Sequence, residues 1–211
     1  MKNYNIIIPV AILAAMTALL VSVGNKSVVE GGYEVGDIAA NFSLKNVDGA
    51  EVSLSDYNDS KGAIVIFTCN SCPFSQMYED RIIQLQAKYE QKGFPVIAIN
   101  PNDPQKQPAD SYDKMKIRSA EKSFNFPYLI DETQETVSAY GASRTPHVFV
   151  LNRESKDQFR VAYIGAIDNN HKDAATADKK YVEDAVDALI DGKVVPTTFT
   201  KAIGCTIKWK G

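Results

Sequence analysis

Apolar and polar positions follow two different periods along this chain. Phe42-Ser43-Leu44 and Val52-Ser53-Leu54 alternate on either side of Asp48-Gly49. A period of two describes strands with one face buried, and Asp-Gly between such runs is a hairpin turn. Ala63 to Phe67 (AIVIF) and Pro95 to Ile99 (PVIAI) are unbroken apolar runs of strand length, the pattern of strands covered on both faces. Between them Phe74, Tyr78, Ile82, Leu85 and Tyr89 recur at steps of three and four, which puts them on one face of a helix. Gly93 after Lys92 supplies its stop. Strand, helix and strand make a βαβ unit, so the two strands are expected to be parallel, with a right-handed crossover.

The second half continues the alternation of element types. Asn100 to Pro108 is rich in Pro, Asn and Asp and reads as a loop. Asp110 or Ser111 can cap a helix carrying Tyr112, Met115 and Phe124. Tyr128 to Ile130 reads as a short strand, and Glu132 to Tyr140 as a helix ended by Gly141. His147 to Leu151 and Arg160 to Ile164 read as an antiparallel pair, followed by an amphipathic helix with Tyr181, Val182, Ala185, Val186 and Leu189. The expected fold is one α/β domain over residues 37–192: a mixed central sheet of four or five strands, helices on both faces, and an N-terminal hairpin extension. Residues 193–211 are expected to pack on it as a tail.

The start of the chain breaks both periods. Lys2 precedes Ile6 to Val23, which carries no charge and is apolar on every face. A short basic start before an apolar run is the export-signal pattern, with Ser22 and Gly24 as small residues near a cleavage point. Residues 1–24 are therefore expected to be a signal peptide or an uncleaved membrane anchor, and residues 25–36 a linker. The protein is expected outside the cytoplasm, periplasmic or otherwise extracytoplasmic, touching a membrane only through that first segment.

Composition narrows the function. Of 211 residues, 45% are hydrophobic and 23% charged, and the formal net charge is -3. No basic stripe stands out, which argues against a nucleic-acid partner. Three cysteines, Cys69, Cys72 and Cys205, are too few and too irregular for a disulfide framework, so they are free for chemistry.

Two of them form Cys69-Asn70-Ser71-Cys72, followed by Pro73, between a buried strand and an amphipathic helix. Such a junction is expected to put the first sulfur at the helix N-terminus, where N–H groups and the helix dipole favour an anion, and the second one turn inside. These sites lower a thiol pKa from about 8.5 to about 3.5–7.5. The spacing also suits a disulfide. Cys69 is expected to attack and Cys72 to resolve. The alternatives are a structural bridge, which would close too small a loop to stabilise much; half a zinc site, for which only Cys205, His147 and His171 remain as ligands; or idle core cysteines. Thr145-Pro146 precedes the HVFVL strand, as a strand-opening proline or a turn proline.

This order of elements, with the C-x-x-C and Thr-Pro, resembles the thioredoxin superfamily. Val35-Gly36-Asp37-Ile38-Ala39-Ala40-Asn41-Phe42-Ser43-Leu44 is similar to the opening of redoxin domains. These include the peroxiredoxins (alkyl hydroperoxide reductase and thiol-specific antioxidant) and the membrane-tethered thiol–disulfide reductases of cytochrome maturation. The resemblance covers residues 35 to 192 and implies a thioredoxin-like fold. It implies thiol–disulfide oxidoreduction without a cofactor, acting on protein or small-molecule thiols and disulfides with an upstream thiol electron donor. It makes Pro146 a cis-proline facing the disulfide, with Thr145 offering backbone hydrogen bonds to a thiol partner. The sequence departs from thioredoxin in having Asn70 and Ser71 where Gly-Pro is usual. It also lacks the peroxiredoxin P-x-x-x-T-x-x-C pattern, since Val65 and Gly62 stand where the prolines would be.

Four further readings concern single residues and one rival activity. Arg144 is either a thiolate stabiliser or a surface arginine. His147 is either a strand histidine or, with Cys69 and Cys72, a Cu(I) ligand in a copper-binding protein, since soft thiolates suit Cu(I). A peroxiredoxin-like thiol peroxidase is the other rival. Cys205 is a candidate third thiol if the tail crosses the site. The alternation of Ile203, Cys205, Ile207 and Trp209 instead favours one buried face and a packed, inert thiol.

Overall fold

The computed structural model describes Met1 and residues 31–211. The apolar run Ile6 to Val23 and its boundary at Gly24 lie outside the described residues. Among the described residues no helix is long and apolar enough to cross a membrane.

Among the described residues, ten strands and four α-helices follow in order: β1 (Ile38–Ala39), β2 (Ser43–Asn46), β3 (Glu51–Ser53), β4 (Gly62–Phe67), α1 (Pro73–Tyr89), β5 (Val96–Asn100), α2 (Tyr112–Lys122), β6 (Tyr128–Ile130), α3 (Glu135–Tyr140), β7 (Arg144–Thr145), β8 (His147–Ser155), β9 (Gln158–Gly165), α4 (Tyr181–Ile190) and β10 (Cys205–Thr206). Eight strands make one mixed sheet in the order β1-β9-β8-β4-β5-β6-β2-β3. β4 lies at its centre, parallel to β5 and antiparallel to β8. Its apolar run is divided by the pleat. Ile64 and Ile66 face the core with Tyr78, Ile82 and Val186, while Val65 and Phe67 face Tyr140, Phe149 and Leu129. Burial on both faces explains why the run does not alternate with polar residues.

The sheet is wider than the expected four or five strands. The β2–β3 hairpin adds to the edge through β6, pairing Lys45 with Ile130, and β1 adds to the other side through β9. Each addition gives hydrogen-bond partners to an edge that would otherwise stay unpaired. Two helix boundaries also shift. α2 stops at Lys122 because Ser123 turns left-handed (φ 52°), which places Phe124 beyond the helix, stacked on Phe126. α3 starts at Glu135, after a turn in which Asp131 accepts from the Val137 N–H at 2.8 Å. Of the expected linker, residues 31–36 lie against the domain: Tyr33 donates to the Tyr140 carbonyl at 3.2 Å and meets its ring edge-on. Gly32 passes so near Gly141 that a Cβ would come within 2.3 Å of the Gly141 Cα.

The tail after α4 runs back along the domain, fastened by hydrogen bonds. Ile164 N–H donates to Thr198 and Thr200 N–H donates to Ile164. β10 pairs antiparallel with β7, Cys205 opposite Thr145. Farther on, Asp103 N–H donates to the Lys208 carbonyl, Lys208 N–H to Asn102, and Lys210 N–H to Gln134. The expected single buried face is not observed. Ile207 is buried (4% exposed), whereas Ile203 and Trp209 are 47% and 42% exposed. Hydrogen bonding to three separate places, rather than one apolar face, sets the path of the tail.

Candidate active site

The loop from Thr68 to Cys72 joins the C-terminal end of β4 to α1, beside the C-terminal end of the parallel strand β5. Thr68 continues the ladder by donating to the Ile99 carbonyl at 2.8 Å. Helix α1 opens with Pro73, a residue whose fixed φ suits a first helical position and whose missing N–H costs nothing there. Cys72 is the N-cap. This corrects the expected placement: the second sulfur, not the first, stands at the helix N-terminus, and Cys69 lies ahead of the helix. Both side chains are nearly closed off, at 3% exposure for Cys69 and 2% for Cys72.

Thr145 bridges the two sulfurs. Its hydroxyl lies 3.3 Å from Cys69 Sγ, and its carbonyl accepts from Cys72 Sγ at 3.1 Å. The Thr145-Pro146 peptide is cis, which directs that carbonyl into the site. Cys72 is held down to about 4. The Cys69 thiol is the largest cause, ahead of the opposing effect of burial; the Cys205 thiol and the Ser75 and Cys205 backbone N–H groups add to the lowering. The helix N-terminus acts in the same direction. Cys69 is pushed up, first because its proton is the one shared with Cys72, then by burial and the nearby Asp110 carboxylate.

Cys205 belongs to this cluster. It is half-buried and stands on β10 opposite Thr145, the residue that touches both other sulfurs. Its own thiol is raised to about 11 by burial, then by hydrogen bonding to Cys72 and by the Cys72 charge. The tail thus brings Cys205 to the strand that carries Thr145. Arg144, expected near the thiolate, donates to the Gly204 carbonyl at 3.0 Å; it holds the tail rather than a sulfur. Gly204 is required here, since a Cβ would stand 2.1 Å from the Thr145 oxygen.

His147 opens β8 opposite Phe67. It accepts from the Ser143 N–H through Nδ1, and burial lowers it to about 4. Among the described residues no three His, Cys, Asp or Glu side chains are disposed to hold a metal ion, so the Cys69, Cys72 and His147 grouping is not assembled. His171 packs against Phe74. A cleft lined by Phe42, Leu44, Ile130, Tyr140 and Trp209 contains none of the cysteines.

One set of residues escaped the sequence reading. Asp110, expected as a helix cap, is fully buried and holds the inter-cysteine loop. It accepts from the Ser71 N–H and hydroxyl, both at 2.8 Å, and from Asn102 Nδ2 at 2.7 Å. Asn70 donates to the Ala109 carbonyl and accepts from the Tyr128 hydroxyl. Ser111, not Asp110, takes the cap position of α2. The available signal was a run of short polar residues following a parallel strand, the end of a sheet at which binding loops collect.

Comparison with known proteins bears on the family and the fold. The AhpC/TSA family profile matches residues 35–159, more than half of the chain. The thiol-disulfide oxidoreductase ResA of Halalkalibacterium halodurans is 25% identical over 121 residues, 57% of this chain and 64% of that protein. The matched part thus spans less than two thirds of the relative's length. Among solved structures, an uncharacterised conserved protein from Geobacillus kaustophilus is 36% identical, with a TM-score of 0.78 over 84% of this chain and 93% of its own. A hypothetical protein from Sinorhizobium meliloti 1021 is 32% identical, with the same TM-score over 85% and 97%. The fold is thioredoxin-like, as the element order implied.

Proposed function

The chain belongs to the AhpC/TSA family, and we propose that it is a thiol–disulfide oxidoreductase whose working pair is Cys69 and Cys72. The observation that carries this reading is the pair of sulfurs: Cys72 at the α1 N-cap, Cys69 just ahead of the helix, and Thr145 touching both. Thiolate is the attacking form, so Cys72 attacks and Cys69 resolves. The Cys72 thiolate attacks one sulfur of a substrate disulfide, forms a mixed disulfide and releases the other half as a thiolate. Cys69 then loses its proton, attacks the Cys72 sulfur and closes Cys69–Cys72, releasing the second substrate thiolate. The protein gives up two electrons and the substrate gains them. An upstream thiol donor restores the dithiol by the reverse exchange, and the same steps run in either direction according to the partner's potential.

Thr145 supports both stages, since its hydroxyl and carbonyl touch the two sulfurs. Asp110 holds the Asn70-Ser71 turn that sets their separation. Protein or small-molecule thiols and disulfides are the partners this chemistry admits. The basic, then apolar start of the chain supports work outside the cytoplasm.

Two measurements test the reading. Alkylation of the reduced protein at pH 6, followed by peptide mapping, should label Cys72 ahead of Cys69; the opposite order reverses the roles. Mild oxidation of Cys205→Ser should yield a Cys69–Cys72 disulfide, and an absence of that bridge would rule out the pair.

A further inference from the structure

The redox pair is almost fully closed off, yet exchange needs a sulfur that a partner can reach. Cys69 and Cys72 are 3% and 2% exposed, and β10 pairs with β7, whose Thr145 touches both sulfurs. Cys205, on that strand, is half-buried and is the cluster's outermost thiol. The interactions are also ordered. Cys72 is acted on by both Cys69 and Cys205. The chief influences on Cys69 are Cys72, Thr145 and Asp110, and those on Cys205 are Cys72, Lys208 and Asp110. Cys72 is the shared sulfur, with a thiol on either side. Disulfide exchange requires an entering thiolate, a central sulfur and a leaving thiolate.

We propose that Cys205 is a third redox thiol, which relays the disulfide between the buried Cys69–Cys72 pair and an external thiol through a Cys72–Cys205 bridge. This rests on the exchange reading above. In the oxidised protein the Cys205 thiolate attacks Cys72. The Cys69–Cys72 bond breaks, the Cys72–Cys205 bond forms, and Cys69 leaves as a thiolate that takes up the proton Cys205 gave away. One disulfide replaces another, with no net oxidation. An external thiolate then attacks Cys205. Cys72 leaves, and the partner is joined to the tail as a mixed disulfide, which a second partner thiol releases. Two partner thiols are oxidised and the protein returns to three thiols.

Three features of the site favour this sequence. Cys205 is the more exposed end of the Cys72–Cys205 bridge, so an external thiolate meets that sulfur first. While Cys72 carries charge it holds the Cys205 proton in place; once Cys72 is in a disulfide, that restraint is gone and Cys205 becomes the stronger nucleophile. The strand that carries Cys205 is fixed in register against Thr145 by the β10–β7 pairing, by Arg144 on Gly204 and by the absence of a side chain at Gly204. A tail serving only as a cover needs neither a cysteine at this register nor a clamp one residue before it.

The test uses the full chain, oxidised with glutathione disulfide, quenched with N-ethylmaleimide and mapped by mass spectrometry. In Cys69→Ser the expected product is an intramolecular Cys72–Cys205 bridge. Stable glutathionylation of Cys72 with Cys205 alkylated would overturn the relay. Cys205→Ser and Cys205→Ala should both still form Cys69–Cys72; if they do not, the failure lies with the pair and the exchange reading falls first. With that bridge formed, oxidation of a folded, protein-sized thiol should be slower by about tenfold or more than in wild type, since a positioned intramolecular thiol is lost. Equal rates in wild type and both variants would reject the relay while leaving the pair intact.

Discussion

Cys69 and Cys72 stand on the most enclosed part of the molecule, the junction of β4 with α1, whereas Cys205 reaches them on a tail that follows the last α-helix. The first region is held by packing. β4 is covered on both faces, and the inter-cysteine turn is tied to Asp110, Ala109 and Tyr128 inside the domain. The tail is held at separate points, mostly through backbone groups, and several of its apolar side chains remain exposed. A packed junction fixes sulfur geometry and acidity. A hydrogen-bonded strap can be detached or re-seated at far lower cost, because local openings of such segments need only part of the global unfolding free energy. The site therefore joins a rigid pair to an element that can move relative to it.

The comparison breaks most completely at the shared sulfur. Cys72→Ser should reduce exchange to the background of an unassisted thiol, because both bridges the site can form use that atom. Turnover of a disulfide substrate checks this, and substantial residual activity would move the attacking role to Cys69. Next in size is Asp110→Ala, which leaves the Ser71 and Asn102 donors without their buried acceptor. Stability should fall by about 3 kcal/mol in urea unfolding, and a change within error would mean that the loop is held by other contacts.

Gly204→Ala sharpens the contrast from the other side. Its new methyl group meets the Thr145 carbonyl, so the strap should lift from β7. The expected loss of stability is about 1–2 kcal/mol, with Cys205 alkylated several-fold faster. Unchanged Cys205 reactivity would show that the tail does not need this close approach. The smallest effect concerns His147. Burial lowers its folded-state pKa to about 4, from an ordinary 6.5. Between those values the unfolded chain binds more protons, so stability should rise with pH from about 4 to 6.5 and be fully present above that range. His147→Phe should flatten this slope in denaturation midpoints measured across that range. An unchanged slope would assign the acid loss to other groups.

The residues themselves determined the β4–α1–β5 unit, the hairpin and the redox motif. Each is encoded by neighbours close in sequence: an apolar run too short for a helix, apolar residues at helical spacing, two cysteines separated by two residues. Period and spacing are local quantities, so they survive reading one segment at a time. The local reading went wrong where the deciding partners were distant. Which cysteine stands at the helix N-terminus depended on the exact start of α1, at Pro73. Asp110 looked like a helix cap because its partner Ser71 lies 39 residues away. The period-two pattern of the tail predicted one buried face, but backbone pairing with β7 and the loop at Asn102 determined its course. Tertiary structure alone brought the third thiol to the second, because the charge state of a sulfur is set by the groups that surround it in space.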